Sequence, residues 1–198
     1  MKWVWVAIFG AVLAWSVNEP QDMTTWFEEV LPALIGAGVL LFTRRSFPLT
    51  PLVYCLILLH CIILMVGGHY TYAEVPLFDW IRDLTGGSRN NFDKLGHFVQ
   101  GFVPAMIARE ILIRKRVIPS PRWRNFFIGC FCLAFAALYE LIEWWVALAS
   151  TSGAEEFLGT QGYIWDTQSD MFMALIGATA ALLLLGRLHD RQLAALGR

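Results

Sequence analysis

The chain has 198 residues, of which 57% are hydrophobic and only 16% are charged, with a formal net charge of -1. A soluble domain is roughly 45–50% apolar and about 25% charged, so this composition excludes an ordinary soluble fold. The mean hydropathy of +0.55 and the nine Trp, a residue that favours the membrane interface, instead indicate a membrane protein.

Six apolar stretches follow one another along the chain, and most are long enough to cross a ~30 Å hydrocarbon layer as a helix. Helix is the expected structure of such stretches, because backbone groups cannot remain unpaired in lipid. We therefore predict an all-α fold, a polytopic membrane helical bundle that forms a single integral membrane domain over residues 1–198. The six predicted transmembrane helices cover residues 3–17, 26–43, 52–67, 94–113, 126–148 and 167–186.

The basic residues predict the orientation of these spans. With both termini in the cytoplasm, twelve Lys and Arg fall on the inner side, namely Lys2, Arg44, Arg45, Arg109, Arg114, Lys115, Arg116, Arg122, Arg124, Arg187, Arg191 and Arg198. Only three, Arg82, Arg89 and Lys94, fall on the outer side. The positive-inside rule accounts for this bias, including the basic loop "RKRVIPSPRWR", so we expect no nucleic-acid partner. His189, in the inner tail, is expected to be solvated.

The third span leads into an outer loop at residues 68–92, which opens with His69 and Tyr72 in "GGHYTYAEVPLFDW". The segment "YAEVPLFDWIRDLTGG" mixes apolar and charged residues in an amphipathic pattern, which predicts a short interfacial helix. We interpret His69 and Tyr72 as candidate substrate-binding residues beside the ends of the spans.

The fourth span begins with polar side chains in "FDKLGHFVQGFVPAMIARE". Asp93 and His97 are four residues apart and share a helix face, which Gln100 continues one turn deeper. Lys94 lies beside them. Charged groups inside a membrane are costly, so they usually face the bundle interior and find partners.

The fifth and sixth spans carry acidic pairs at the same predicted level of the membrane. Glu140 and Glu143 are three residues apart in the last turns of the fifth span, and Asp166 and Asp170 are four apart where the sixth begins. Three helices would thus bring acid or imidazole groups to one outward-facing pocket. The inner halves of these spans are almost wholly apolar, which favours a dead-end site over a conduction path.

Two classes of function remain open for this pocket. The first is a hydrolase or transferase acting on a lipid or lipid-linked headgroup, with membrane lipids as partners and with catalytic residues Asp93, His97, Glu140, Glu143, Asp166 and Asp170. Its substrate-binding residues would be His69, Tyr72, Lys94 and Gln100. The second is a non-enzymatic binding or transport protein for a cation or cationic ligand.

The more specific form of the enzyme hypothesis is that the pocket binds a divalent metal. Carboxylate and imidazole pairs on facing helices are how bundles build such sites, and oxygen-rich ligands with imidazole suit Zn, Mn or Mg. The candidate ligands are His97, Asp93, Glu140, Glu143 and Asp170. A metal-free acid–base site using His97 with Asp93, and a polar core that only locks helix packing, are the alternatives.

Four blocks, "GGHYTYAEVPLFDW", "NNFDKLGHFVQGFVPAMIAREI", "YELIEWW" and "GTQGYIWDTQSDMFMALIGA", together resemble the YjdF-type inner-membrane proteins of bacteria. A more distant similarity is to VanZ-like membrane proteins, through Asp93, Lys94 and His97, then Glu140, then Asp166 and Asp170. The resemblance implies a multi-pass protein of the bacterial inner membrane. It implies no particular reaction.

Overall fold

A computed structural model describes residues 2–149 and 160–196, and within these ranges the chain is helical, with no β-strand. The described residues form seven α-helices, namely α1 (Lys2–Ser16), α2 (Met23–Thr43), α3 (Pro51–Tyr70), α4 (Pro76–Thr85), α5 (Phe92–Arg114), α6 (Pro121–Ala149) and α7 (Asp166–Leu196). A 3-10 turn, Tyr72–Glu74, joins α3 to α4. The all-α prediction is therefore confirmed for the described residues. Arg198, which the charge count placed on the inner side, lies outside them.

Local signals in the sequence fix several helix ends. The Asp22 carboxylate accepts a hydrogen bond of 2.7 Å from the Thr25 N–H and caps α2, which also lowers the pKa of Asp22. Thr50 caps α3 directly before Pro51. Gly86 ends α4 with a positive φ of 67°, a conformation that glycine adopts without a steric penalty.

Four helices, α2, α3, α6 and α7, are long and apolar enough to cross a membrane. The other two predicted spans lie on helices of different character. The α1 helix is apolar but has only 15 residues, about 22 Å at ~1.5 Å per residue. The α5 helix has 23 residues but carries charged groups in both end regions. Six crossings and cytoplasmic termini therefore remain predictions.

The α5 helix is the most enclosed element of the bundle and packs against α3, α6 and α7. Its backbone approaches that of α7 so closely that a Cβ added to Gly101 would lie 1.8 Å from the Ala174 carbonyl oxygen. Gly177 makes the reciprocal approach, 1.9 Å from the Phe98 carbonyl oxygen. Because α5 is covered by neighbouring helices, it can carry polar residues that a lipid-facing helix could not.

The two ends of α5 lie at opposite ends of the bundle. We call the end where α5 and α7 begin and α6 finishes the acidic end. At the opposite end, the fully buried Glu110 accepts hydrogen bonds from the Thr50 N–H at 2.9 Å and from Arg114 at 2.8 Å. His189 Nε2 lies 3.0 Å from the same carboxylate, and Arg109 Nη1 lies 2.9 Å from its Nδ1. The expectation of a solvated His189 is wrong, because α7 continues ten residues beyond the predicted end of the sixth span and buries it.

The loop between α3 and α5 contains the helix that its amphipathic pattern predicts. No residue of α4 is buried, and Leu77, Trp80 and Leu84 are 60%, 61% and 70% exposed. Asn90 holds α4 in place, donating 3.0 Å hydrogen bonds to the Val75 carbonyl and the Asp79 carboxylate. An apolar face of this kind at the end of a spanning helix suits the membrane interface.

Candidate functional site

The first two turns of α5 hold a hydrogen-bonded histidine. His97 Nδ1 lies 2.9 Å from the Gln100 side-chain oxygen, and because that oxygen can only accept, Nδ1 donates the proton. His97 Nε2 then points at the Asp93 carboxylate, 3.4 Å from its Oδ1. All three side chains are buried. The i, i+3 and i, i+4 spacings of one helix face produce this arrangement.

Glu140 brings a second carboxylate to the same nitrogen from α6. Its Oε1 lies 3.6 Å from His97 Nε2, which is too far for a hydrogen bond. The Glu140 side chain is buried, and Oε1 has no hydrogen-bond partner among the described residues. An unsatisfied buried carboxylate oxygen is costly, so it is a marker of a missing proton or ligand.

Lys94 of α5 connects this helix to α7. The Lys94 ammonium group donates hydrogen bonds to the Asp166 carboxylate at 2.5 Å, the Ser169 hydroxyl at 2.6 Å and the Asp170 carboxylate at 2.7 Å. Arg89, in the turn before α5, extends the network, with Nη1 2.6 Å from Asp166 and Nη2 3.5 Å from Asp93 Oδ2. The two cations thus compensate two of the three negative charges that the aspartates of the site carry when ionised.

Two further residues, which the sequence did not single out, belong to this end of the bundle. Glu29 of α2 is buried and lies within electrostatic range of Asp93, His97 and Tyr72. Tyr139 of α6 lies edge-on to His97, with ring centroids 6.3 Å apart.

Tyr72 reaches the cluster because two glycines leave room for its ring. A Cβ on Gly67 of α3 would lie 2.0 Å from the Tyr72 ring, and one on Gly96 of α5 would lie 2.8 Å from it. Burial raises the pKa of the Tyr72 hydroxyl well above its usual value, and the nearby Glu29 carboxyl raises it further. Tyr72 therefore remains a protonated hydrogen-bond donor at neutral pH.

The structure brings most of the predicted residues together. We define the acid cluster as the six carboxyl groups of Glu29, Asp93, Glu140, Glu143, Asp166 and Asp170. Two of the predicted substrate-binding residues, Lys94 and Gln100, form hydrogen bonds within the site, Lys94 to Asp170 and Gln100 to His97. His69 lies elsewhere: its Nδ1 is 3.1 Å from the Ser16 carbonyl, and its ring packs on Trp15 at 4.4 Å.

The geometry of the cluster suits a cation. Potential ligand atoms of Asp93, His97 and Asp170 all lie within 4.8 Å of one another. Two atoms bound to one tetrahedral ion at about 2.0–2.1 Å lie roughly 3.3 Å apart, close to the 3.4 Å between His97 Nε2 and Asp93 Oδ1. The Gln100 contact to Nδ1 is the kind of outer hydrogen bond that orients a ligating imidazole.

The fold and the site define a helical membrane protein with a buried acid–histidine cluster at one end of its bundle. The model of the family described as "Predicted membrane protein (DUF2238)" matches residues 1–191, and the chain belongs to this family. The chain is 53% identical over 186 residues to the inner membrane protein YjdF of Escherichia coli (strain K12), covering 94% of this chain and 89% of that protein. No solved structure matches it significantly. These findings confirm the predicted family and the predicted inner-membrane location.

Proposed function

We propose that the chain is a metal-dependent membrane hydrolase or transferase acting on the headgroup of a lipid or lipid-linked substrate. The observation that carries the proposal is that ligand atoms of Asp93, His97 and Asp170 all lie within 4.8 Å of one another, beside Glu140 Oε1, which has no hydrogen-bond partner in the described part of the chain. Asp93, His97 and Asp170 would hold Zn, Mn or Mg, with Glu143 as a further candidate ligand. A divalent ion would activate water and polarise a phosphoryl or acyl oxygen.

Each group of the cluster has a role in this proposal. Glu140, whose unpartnered Oε1 lies 3.6 Å from His97 Nε2, would take a proton from the attacking water. In hydrolysis the remaining hydroxide adds to phosphorus or to the acyl carbon, the ester bond to the leaving oxygen breaks, and the proton passes to that oxygen. Asp166 and Lys94 would hold Asp170 in position through the 2.5 Å and 2.7 Å contacts of the lysine.

The topology forms part of the proposal, since it decides which leaflet supplies the substrate. We infer six crossings with both termini in the cytoplasm, so the acidic end opens to the outer leaflet. The twelve-to-three distribution of basic residues supports this orientation. Alkaline phosphatase fused after Arg198 should be inactive, whereas the same enzyme inserted after Gly87 should be active. The reverse pattern would overturn the orientation.

The chemistry is tested by metal content and lipid turnover together. Purified protein should hold about one equivalent of divalent metal, and His97→Ala should lose it. His69→Ala is a matched control, because His69 is a histidine of the same end that contacts Ser16. In nanodiscs of inner-membrane lipid, mass spectrometry should detect a headgroup product that chelator abolishes. Wild-type protein without metal would refute the metal site, and an unchanged lipid profile would refute the enzyme.

A cation-binding protein without catalysis is the second candidate. The excess of carboxyl groups over Lys and Arg in the acid cluster favours it. The opposite end of the bundle supports a receptor over a transporter, because Glu110 and His189 there are fully buried and hydrogen-bonded and are separated from the cluster by apolar turns of α5. Stoichiometric metal with an unchanged lipid profile would favour this candidate.

A further inference from the structure

Two segments that are far apart in the sequence meet at the end of the bundle opposite the acidic end. Phe47, between α2 and α3, packs on the end of α5: its ring centre lies 3.8 Å from the Arg114 guanidinium carbon and 5.5 Å from the Lys115 ammonium nitrogen. Arg114 also donates a 2.5 Å hydrogen bond to the Pro48 carbonyl. Cation–π contacts and this hydrogen bond therefore hold the α2–α3 connection against the end of α5.

Four basic side chains beside this junction are exposed. Arg114 itself is neutralised, because its Nη1 lies 2.8 Å from the Glu110 carboxylate. The four neighbouring side chains, by contrast, form no ion pair with any Asp or Glu that the structure describes. We call these four residues the basic patch: Arg44, Arg45, Lys115 and Arg116. Both arginines of the first half lie within three residues of Phe47, so the contacts of Phe47 join the two halves of the patch.

The acidic residues of the same end already have partners. Glu110 and Asp190 are the acids of this end among residues 2–149 and 160–196. Glu110 is fully buried and bound to Arg114, and the Asp190 carboxylate lies 2.7 Å from Arg109 Nη2. The four positive charges of the basic patch are therefore available to an anion outside the protein.

Exposed apolar side chains flank the basic patch on both sides. Phe42, two residues before Arg44, is 86% exposed, and Val117, directly after Arg116, is 60% exposed. The α2 helix, which ends beside the patch, is long and apolar enough to cross a membrane. A phospholipid satisfies both features, since its phosphate meets the cations while its chains cover the apolar side chains. A nucleic acid or an acidic peptide would leave those apolar side chains exposed.

We propose that the basic patch binds the headgroup of an anionic phospholipid in the leaflet at this end of the bundle. In the six-crossing orientation, this is the cytoplasmic leaflet. The positive-inside rule accounts for cations in each loop but not for their assembly around one aromatic ring. The patch lies at the opposite end of α5 from the acid cluster, so the inference goes beyond the proposed function and does not depend on it.

The test compares two lipids that share their acyl chains and differ in headgroup charge. Dioleoyl phosphatidylglycerol and dioleoyl phosphatidylcholine are titrated into the purified full-length protein in detergent, and native mass spectrometry measures the dissociation constant of each lipid. Wild type should bind phosphatidylglycerol at least about tenfold more tightly, because each Lys or Arg of the patch attracts an anionic lipid. A higher ammonium acetate concentration should reduce this preference, because salt screens exposed charges.

Single substitutions in each half of the patch should weaken the same interaction. Arg45→Gln and Arg116→Gln should each lower the affinity for phosphatidylglycerol about fivefold and leave phosphatidylcholine binding unchanged. Both side chains are exposed, so neither change should disturb the fold. Arg82→Gln is the matched control: it removes the same charge from α4, at the acidic end, and should retain the wild-type preference.

Equal affinity of wild type for the two lipids would overturn the inference, as would an undiminished preference in both patch variants or an equal reduction in Arg82→Gln. Weakening in just one patch variant would show that the two segments act separately and would overturn the shared site. Glycerophosphoglycerol, the same headgroup without acyl chains, tests the source of the anion. An affinity comparable to that of phosphatidylglycerol would assign the patch to a soluble anion and overturn the lipid inference.

Discussion

His97 and Glu140 lie on different helices, yet His97 Nε2 and Glu140 Oε1 are 3.6 Å apart and are not hydrogen-bonded to each other. Asp93 Oδ1 lies 3.4 Å from the same nitrogen. An imidazole nitrogen that faces two carboxylate oxygens needs a positive partner, which is either a proton on the imidazole or a metal ion. The arrangement depends on the packing of α5 against α6 and α7, which the first predictions address.

Lys94 should contribute strongly to the stability of the packing between α5 and α7. Lys94→Met leaves the carboxylates of Asp166 and Asp170, whose side chains are only 6% and 3% exposed, without their shared cation. We expect a loss of about 3–5 kcal/mol in the free energy of unfolding. Arg82→Gln is the control, because Arg82 is half-exposed and its second ion pair, with Asp83, lies at the surface. Thermal unfolding that is equally affected in both variants would contradict this role.

The close approach of α5 and α7 should tolerate no side chain at Gly101. Gly101→Ala places a methyl group against the Ala174 carbonyl and should destabilise the protein by about 1–3 kcal/mol. Gly38→Ala, on α2, has nothing within 4 Å and should show no loss, since alanine favours helix. Denaturation in detergent measures both. A Gly101 variant as stable as the Gly38 variant would show that the helices are further apart.

Glu110 should stabilise the opposite end of the bundle. Glu110→Ala removes the acceptor for Thr50, Arg114 and His189 and should cost about 3–5 kcal/mol of unfolding free energy. Asp190→Ala removes an ion pair with Arg109 whose acidic side chain is 59% exposed, so its cost should be at most about 1 kcal/mol. Metal content should persist in folded Glu110→Gln, because Glu110 belongs to the other end. Metal lost from that folded variant would couple the two ends.

The contribution of Tyr72 to the free energy of unfolding should fall at high pH, because its hydroxyl is buried. Because its folded pKa is raised, the neutral hydroxyl stabilises the fold fully below the unfolded value of about 10, and this contribution is lost as pH rises above it. Tyr72→Phe should therefore reduce the decline in unfolding free energy between pH 9 and pH 11. Phenolate absorbance over the same interval should be unchanged by the substitution while the protein is folded. An absorbance step that disappears in Tyr72→Phe would contradict the buried position.

The sequence predicted the parts of this site that depend on spacing within one helix. Asp93 and His97 share a face because they are four residues apart, and Asp166 and Asp170 do so for the same reason. Each pair lies in the first or last turns of a predicted span, and with alternating span directions these turns all fall at the same depth of the membrane. Glu29 was missed because it directly follows Glu28 and so forms no i, i+3 or i, i+4 pair, although its position near the start of the second predicted span was a usable signal.

The remaining contacts depend on tertiary packing that spacing does not encode. His69 and Tyr72 are three residues apart in the predicted outer loop, yet His69 ends up in the last turn of α3 and packs on α1, while Tyr72 enters the cluster between Gly67 and Gly96. Only the relative placement of α3 and α5 decides this. His189 was similarly misjudged, since its burial requires α7 to continue beyond the apolar stretch and to meet Glu110.

The location of the metal tests the central claim most directly. Anomalous diffraction from crystals of the full-length protein, measured at the Zn and Mn edges, should show one peak within about 2.0–2.2 Å of His97 and of the carboxylates of Asp93 and Asp170. That peak should be missing in Asp170→Asn crystals that retain the same helix packing. No peak in wild type, with His97 hydrogen-bonded directly to Asp93 and Glu140, would contradict the metal site and leave a protonated imidazole in its place.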